Sequence, residues 1–164
     1  MQLTHVDEHG KLKMADISGK PATLRVARAR AEVVMQPETL RLIASGGVAK
    51  GEVLAAARVA GIMAAKQTGF LIPLCHPLLL SHVEVRFRFV QERSALEIET
   101  EARTEGATGV EMEALTAAAA AALTVYDMCK AVDKGMVINR LRLIEKTGGK
   151  SGRFFREGEE AWEE

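Results

Sequence analysis

Asp127 and Lys130 stand three residues apart in Tyr126-Asp-Met-Cys-Lys130, so on a helix they share a face while Met128 and Cys129 point elsewhere. A carboxylate beside an amine can orient and move a proton. The apolar run before them, and the interleaved Tyr126, Met128 and Cys129, predict a partly buried pair, in which the lysine's pKa becomes tunable and transfer near neutral pH becomes possible. The plainer reading is an exposed i,i+3 ion pair that contributes little to stability.

Glu111 and Glu113 open the same predicted helix in Gly109-Val-Glu-Met-Glu-Ala-Leu-Thr116. Carboxylates there complement the positive end of the helix dipole, and they can also accept paired N–H donors from a guanine-like or pterin ring. Met112, between them, reads as core. His76 lies in Pro73-Leu-Cys-His-Pro77, where two prolines fix the backbone around an imidazole in apolar surroundings, suited to a general acid or base or to a phosphate ligand. A half-buried histidine with one satisfied hydrogen bond is the alternative. Lys146-Thr-Gly-Gly-Lys-Ser-Gly152 has the lysines, Lys146 and Lys150, and the glycines of a phosphate-gripping loop. It is not a P-loop, because Ile144 occupies the place of the first glycine and no helix follows; a disordered tail competes with the functional reading. Lys50 and Lys66, at the two ends of a predicted helix, join Arg25 as candidates if the fold brings them near His76. His82-Val-Glu84 begins like a zinc deaminase signature, but no Pro-Cys-x-x-Cys follows, so no metal site is predicted.

The elements that must position these groups follow from pattern. Six consecutive alanines and the absence of Pro or Gly predict one helix from Val110 to Lys134, stopped by Gly135. On it Glu113 and Asp127 fall on nearly the same face but about 21 Å apart along the axis. One compact pocket in a single chain does not collect both, which places the site between subunits. Thr23–Met35 alternates as a half-exposed strand. Pro37 opens a short helix that Gly46-Gly47 closes, and a second helix runs from about Gly51 to Thr68, packing through Leu54, Ala57, Gly61 and Ala64. Pro73 and Pro77 forbid helix in the apolar segment 70–80, which must be buried against something. Val83, Val85, Phe87 and Phe89 share one face of a strand; after a turn at Gln91–Ser94, Leu96, Ile98, Thr100 and Ala102 share a face of the next. With Gln91 facing Ser94, Arg88 opposes Glu97 and Arg86 opposes Glu99, favourable pairs that a one-residue slip would destroy. Met136–Lys146 forms a last strand, with Leu141 and Leu143 inward and Arg140 and Arg142 outward. The order predicts an α+β, ferredoxin-like two-layer sandwich: a four-stranded antiparallel sheet with helices on one face.

A chain of 164 residues, 48% hydrophobic, has room for a single domain: a mobile arm over 1–20, a core over 21–146, and a Gly/Lys loop with acidic tail over 147–164. Formal charge is zero, but five glutamates lie between Glu157 and Glu164; without them the body has 22 basic and 17 acidic residues. That surplus suits a small anionic ligand and falls short of a nucleic-acid footprint. With aromatics at 4% and Phe87 and Phe89 turned to the core, an RNA-binding α+β module ranks well below an enzyme; a nucleotide-sensing oligomer without turnover is the other rival. Cys75 and Cys129 have no paired spacing, the N-terminus lacks a signal peptide's regions, and no apolar run spans a bilayer. A cytoplasmic protein without membrane or nucleic-acid partners is expected.

Lys50-Gly51, Ala60-Gly-Ile-Met-Ala-Ala-Lys66, Leu71-Ile-Pro-Leu-Cys-His-Pro77, Gly109 to Thr116, Leu123-Thr-Val-Tyr-Asp-Met-Cys-Lys-Ala131 and Lys146 to Gly152 together resemble the MoaC family, the cyclic pyranopterin monophosphate synthases of molybdenum cofactor biosynthesis. The likeness runs from about Leu3 to Gly152. It implies a lyase acting on 3′,8-cyclised dihydro-GTP, made by a radical S-adenosylmethionine cyclase, to give cyclic pyranopterin monophosphate and diphosphate. It implies Asp127 as active-site acid, Lys130 as its catalytic neighbour, Leu74, Cys75 and His76 with Met112 and Glu113 as substrate contacts, and Lys50 and Lys66 in the same pocket. It further implies a homohexamer, a trimer of dimers with sites at dimer interfaces. No cofactor is expected to be required; a divalent metal can accompany the diphosphate, but no ligand cluster demands one. Two departures stand out: Ala107, in Gly106-Ala-Thr-Gly109, replaces a lysine common in the family, and Gln67 replaces a residue that is often basic.

Overall fold

The computed structural model describes residues 5–163. Residues 1–4 of the expected arm and Glu164 of the tail lie outside them. The elements are β1 (Thr23–Val34), α1 (Pro37–Ser45), α2 (Val53–Leu71), β2 (His82–Val90), a single 3₁₀ turn (Gln91–Arg93), β3 (Ala95–Gly106), α3 (Glu111–Cys129), β4 (Val137–Thr147) and β5 (Phe154–Phe155). They build one antiparallel sheet in the order β2-β3-β1-β4-β5. This is the expected split βαβ plan, enlarged by the two-residue β5 at one edge.

Alternation in β1 makes the two layers. Ala27, Ala29, Ala31 and Val33 turn to the helices and are fully buried, and their small side chains let α3 lie close to the sheet. The helix answers with Ala114, Ala117, Ala118, Ala121, Ala122 and Val125. At Gly61 of α2 an added Cβ would stand 3.0 Å from Val85 Cγ2 and 3.1 Å from the Ala117 carbonyl, so the two helices meet where a side chain is missing. The β2–β3 register matches expectation, with Arg88 opposite Glu97 and Arg86 opposite Glu99. Val85 is buried, and Phe87 and Phe89 pack against the core.

The opposite face of the sheet is a ladder of arginines and glutamates. Glu99 receives Arg30 and Arg86, Glu97 receives Arg88 and Arg93, and Glu101 receives Arg28 and Arg103. Burial pushes the Glu97 and Glu101 carboxyls up, but the hydrogen bonds and charge of their arginines outweigh it and leave both below the ordinary value.

Several boundaries differ from the sequence reading. The helix expected to reach Lys134 ends at Cys129 because Asp133 is engaged elsewhere: its carboxylate accepts from the Gln36 and Gly135 N–H groups and the Thr39 hydroxyl, closing the start of α1. In contrast, α2 continues through Gly69 to Leu71, and Ala65 and Thr68 rather than Leu54 and Ala64 complete its buried stripe. Leu141 is exposed, not inward, because β4 bulges at Arg140, which adopts φ 51°. The segment 70–80, expected to be buried, leaves Phe70 82% and Leu79 94% exposed; among the described residues nothing covers them. The acidic tail lies across the charged ladder.

Candidate active site

Two cavities adjoin at the end of the molecule where α3 begins. The first, about 520 Å³, is walled by Lys20, Arg25, Lys146 and Lys150 together with Thr108 and Ser151. The second, about 380 Å³, is walled by Leu74, Cys75, His76, Met112 and Glu113. Lys20, Thr108, Gly109 and Glu111 belong to both, so the two form one groove, cationic at one end and largely apolar at the other.

Backbone constraint shapes the cationic end. Gly148 and Gly149 adopt φ of 92° and 74°, and a Cβ on either would collide with the Leu24 carbonyl or the Arg25 guanidinium, so the loop lies directly on the start of β1. Arg25 is fixed by donating from Nε to the Gly106 carbonyl (2.9 Å) and from Nη2 to the Ala107 carbonyl (3.2 Å). Lys146 Nζ donates to Ser151 Oγ across the loop. Thr23 Oγ1, in the same wall, is buried with no hydrogen-bond partner among the described residues, which leaves a donor free for an oxyanion. Ala107 adds no charge there.

At the apolar end Glu113 is only 4% exposed. Burial, with the nearby Glu111 charge adding to it, raises its carboxyl above the ordinary range, partly offset by a hydrogen bond from its own N–H. Such a group can hold its proton and both donate to and accept from a heterocycle edge. Burial, then Glu113, pushes the Cys75 thiol up as well. A raised thiol has less thiolate character. His76 is half-buried. The Asp16 carboxylate, held low by the Ser18 hydroxyl (2.6 Å) and N–H (2.9 Å), lies close enough to feel the imidazole's charge.

The remaining candidates sit elsewhere. At the far end of α3, Asp127 accepts from Lys130 Nζ at 2.7 Å and Lys50 Nζ at 3.2 Å, and Lys50 also donates to the Asp127 carbonyl at 2.9 Å. The part-burial expected from the apolar run is absent: the Asp127 and Lys130 side chains are 56% and 52% exposed, because they lie on the outer face of a helix end whose Val125 and Cys129 take the core side. Lys130 is accordingly raised by its hydrogen bond and attraction to Asp127, and Asp127 is lowered by Lys130 and then Lys50. Lys66 stands on the outer side of α2, outside both cavities, on a stripe with exposed Val59, Met63 and Phe70. Thus the fold brings Arg25, but not Lys50 or Lys66, beside the His76 groove.

Lys20 and Asp16 were missed by the sequence reading, which took residues 1–20 for a mobile arm; the restricted Gly19-Lys20-Pro21 run is the one local signal. Among the described residues no group of three His, Cys, Asp or Glu side chains could hold a metal ion, and no helix is long and apolar enough to cross a membrane.

The family model described as the MoaC family matches residues 14–149. The chain belongs to the MoaC family. Its relatives include proteins named cyclic pyranopterin monophosphate synthase from Pelotomaculum thermopropionicum, 63% identical over 162 residues, covering 99% of this chain and 95% of the relative. Others are from Thermomicrobium roseum, 61% identical over 160 residues (98% and 96%), and Desulfitobacterium hafniense, 59% identical over 157 residues (96% of each). The family model takes in the Asp127–Lys130 end and most of the groove wall but ends before Lys150 and Ser151, whereas the relatives match over nearly the whole chain.

Proposed function

We propose that this protein converts 3′,8-cyclised dihydro-GTP into cyclic pyranopterin monophosphate with release of diphosphate, as a phosphorus–oxygen lyase of molybdenum cofactor biosynthesis. The observation that carries the reading is the groove itself: a cationic cavity lies end to end with an apolar one holding a buried carboxyl. A triphosphate joined to a fused ring has that shape and charge distribution. Lys146, Lys150 and Arg25 stabilise phosphate charge, and His76 stands in the wall of the second cavity, at the ring end. Glu113, with Glu111 at the helix start, recognises the ring edge, and Leu74, Cys75 and Met112 pack against it.

Besides the groove's own titratable groups, His76 and Glu113, the reaction draws on Asp127, Lys130 and Lys50, which a second copy of the chain supplies. Asp127 orients Lys130 and holds it protonated, so Lys130 enters the reaction as an ammonium donor. Cover by the second copy removes water from the pair, and that desolvation moves a lysine in the opposite direction, toward neutrality. The uncovered stripe of Val59, Met63 and Phe70, which flanks Lys66, together with Leu123 on α3, is an apolar surface suited to self-association. It supports a dimer-based hexamer in which Lys66 joins the site across the interface. No resident metal is part of this reading; a divalent ion would arrive on the diphosphate. Two unpaired thiols fit a reducing, cytoplasmic setting, downstream of a radical S-adenosylmethionine cyclase.

Purified protein given the cyclised GTP derivative should release diphosphate, and Lys130→Ala should abolish this while circular dichroism and the melting temperature stay unchanged. Tight binding without product would instead identify a nucleotide sensor.

A further inference from the structure

The chain does not leave the surface after the Lys146–Gly152 loop. Phe154 and Phe155 pair with Lys146 and Glu145, the Arg156 N–H donates to the Ile144 carbonyl at 2.8 Å, and Arg156 Nε donates to the Leu143 carbonyl at 2.7 Å. The segment then runs over the charged face of the sheet. There Glu159 accepts from Arg142 and from Arg30 Nη1 (2.9 Å), and the Glu160 carbonyl accepts from Arg30 Nη2 (2.7 Å). The guanidinium groups of Arg30 and Arg88 stand 4.9 and 4.6 Å from the centroid of the Trp162 ring. With this segment in place Arg30 is 3% exposed, and its guanidinium is also held from the sheet by Glu99 at 2.5 Å.

The loop held at the other end of this segment is loose by composition. Gly148, Gly149 and Gly152 all adopt positive φ, and glycines lose more conformational freedom on ordering than other residues. A two-residue strand pair is too short to hold such a loop shut by itself. We propose that residues 153–162 are a strap that keeps Lys150 and Ser151 in their anion-binding arrangement, with Arg30 as the anchor and Glu159 and Trp162 as positioning residues. Neither residue touches the groove; each acts through the backbone joining the anchored segment to the loop. The inference rests on the groove being the diphosphate end of the site.

The test uses the full chain with Glu159→Gln and Trp162→Ala, and Trp162→Phe as the conservative partner that keeps a ring over the arginines. Affinity for inorganic pyrophosphate is read by calorimetry, and KM and kcat with the cyclised GTP derivative. Trp162 is the single tryptophan of the chain, so its emission reports docking in Glu159→Gln independently of activity. The expected result is a rise of about tenfold in pyrophosphate Kd and in KM with kcat nearly unchanged, as for lost uniform binding. Emission in Glu159→Gln shifts to the red, and Trp162→Phe recovers most of the affinity. Wild-type affinity and KM in both Glu159→Gln and Trp162→Ala would overturn the strap while leaving the groove assignment intact, as would a fall in kcat alone. Wild-type protein that turns over substrate yet does not bind pyrophosphate would overturn the anion-site reading and the strap with it.

Discussion

Two inactive variants of this protein should restore each other when they share an oligomer. Glu113 lies in the groove at the start of α3, and Lys130 lies just past its end. The fourteen residues from Glu113 to Asp127 place the two groups about 21 Å apart along the helix axis. A site that uses both must take them from different copies. In a two-fold dimer each site then has Glu113 of one protomer and Lys130 of the other. A mixed dimer of Glu113→Gln and Lys130→Ala has one site with both substitutions and one with neither. Random pairing of equal amounts makes about half the dimers mixed, so about a quarter of wild-type sites return. The assay is diphosphate release after co-expression of the two variants under separate affinity tags, normalised to total chain, with each variant alone as baseline. Recovery near a quarter of the wild-type rate is expected. Recovery no greater than the sum of the separate variants, in a preparation shown to contain both chains, would refute the split site.

Glu113→Gln also carries a stability signature. Because burial raises the folded-state carboxyl, its proton is retained in the folded chain over a range where the unfolded chain has lost it, so stability falls as pH rises through that range. The substitution should therefore raise the melting temperature at about pH 7.5 and leave it nearly unchanged at about pH 4; an equal rise at both would be inconsistent with a titrating group. The depressed carboxyls give the opposite dependence: Glu97 and Glu101 contribute fully above the ordinary value of 4.5 and lose that contribution as pH falls through their lowered values. Glu101→Gln should cost about 2 kcal/mol near neutrality, less than a sealed pair because Arg28 and Arg103 keep access to water, and should flatten the acid limb of the stability profile. Gly61→Ala should cost about 1–3 kcal/mol, since its Cβ would press on the Ala117 carbonyl and Val85; an unchanged denaturation midpoint would mean that α2 and α3 separate more easily than their packing implies.

Local information made much of the fold legible. The Arg86–Glu99 and Arg88–Glu97 pairs fixed the β2–β3 register because a period of two leaves no neutral slip, and the phenylalanines of β2 followed Val85 to the helix side. What escaped depended on partners remote in sequence. The helix ends at Cys129 and not Lys134 because Asp133 closes α1, 97 residues away from Gln36 in the chain. Leu141 turns outward through one bulge with no glycine to announce it. The C-terminal glutamates read as a solvated tail because the arginines that receive Glu159, Arg30 and Arg142, belong to two different strands.

The candidate residues could be named by type, but their environments could not, and the reason is physical. A lysine's usefulness as a proton donor or acceptor depends on how much water surrounds it, and burial is a property of the assembly as well as of the helix that carries the group. In one chain Lys130 has an acid at 2.7 Å and half its surface in solvent, a combination that holds its proton firmly. In the groove the buried Glu113 carboxyl and the Lys146–Ser151 loop are in place, while the Lys130–Asp127 pair stands at the far end of a rigid alanine helix. Shortening that helix would bring the two together but remove the alanine contacts that fasten it to β1 and β3. On the proposed reading, placing the halves on separate copies would keep the scaffold rigid, dehydrate Lys130 only when the site closes, and make proton transfer conditional on association.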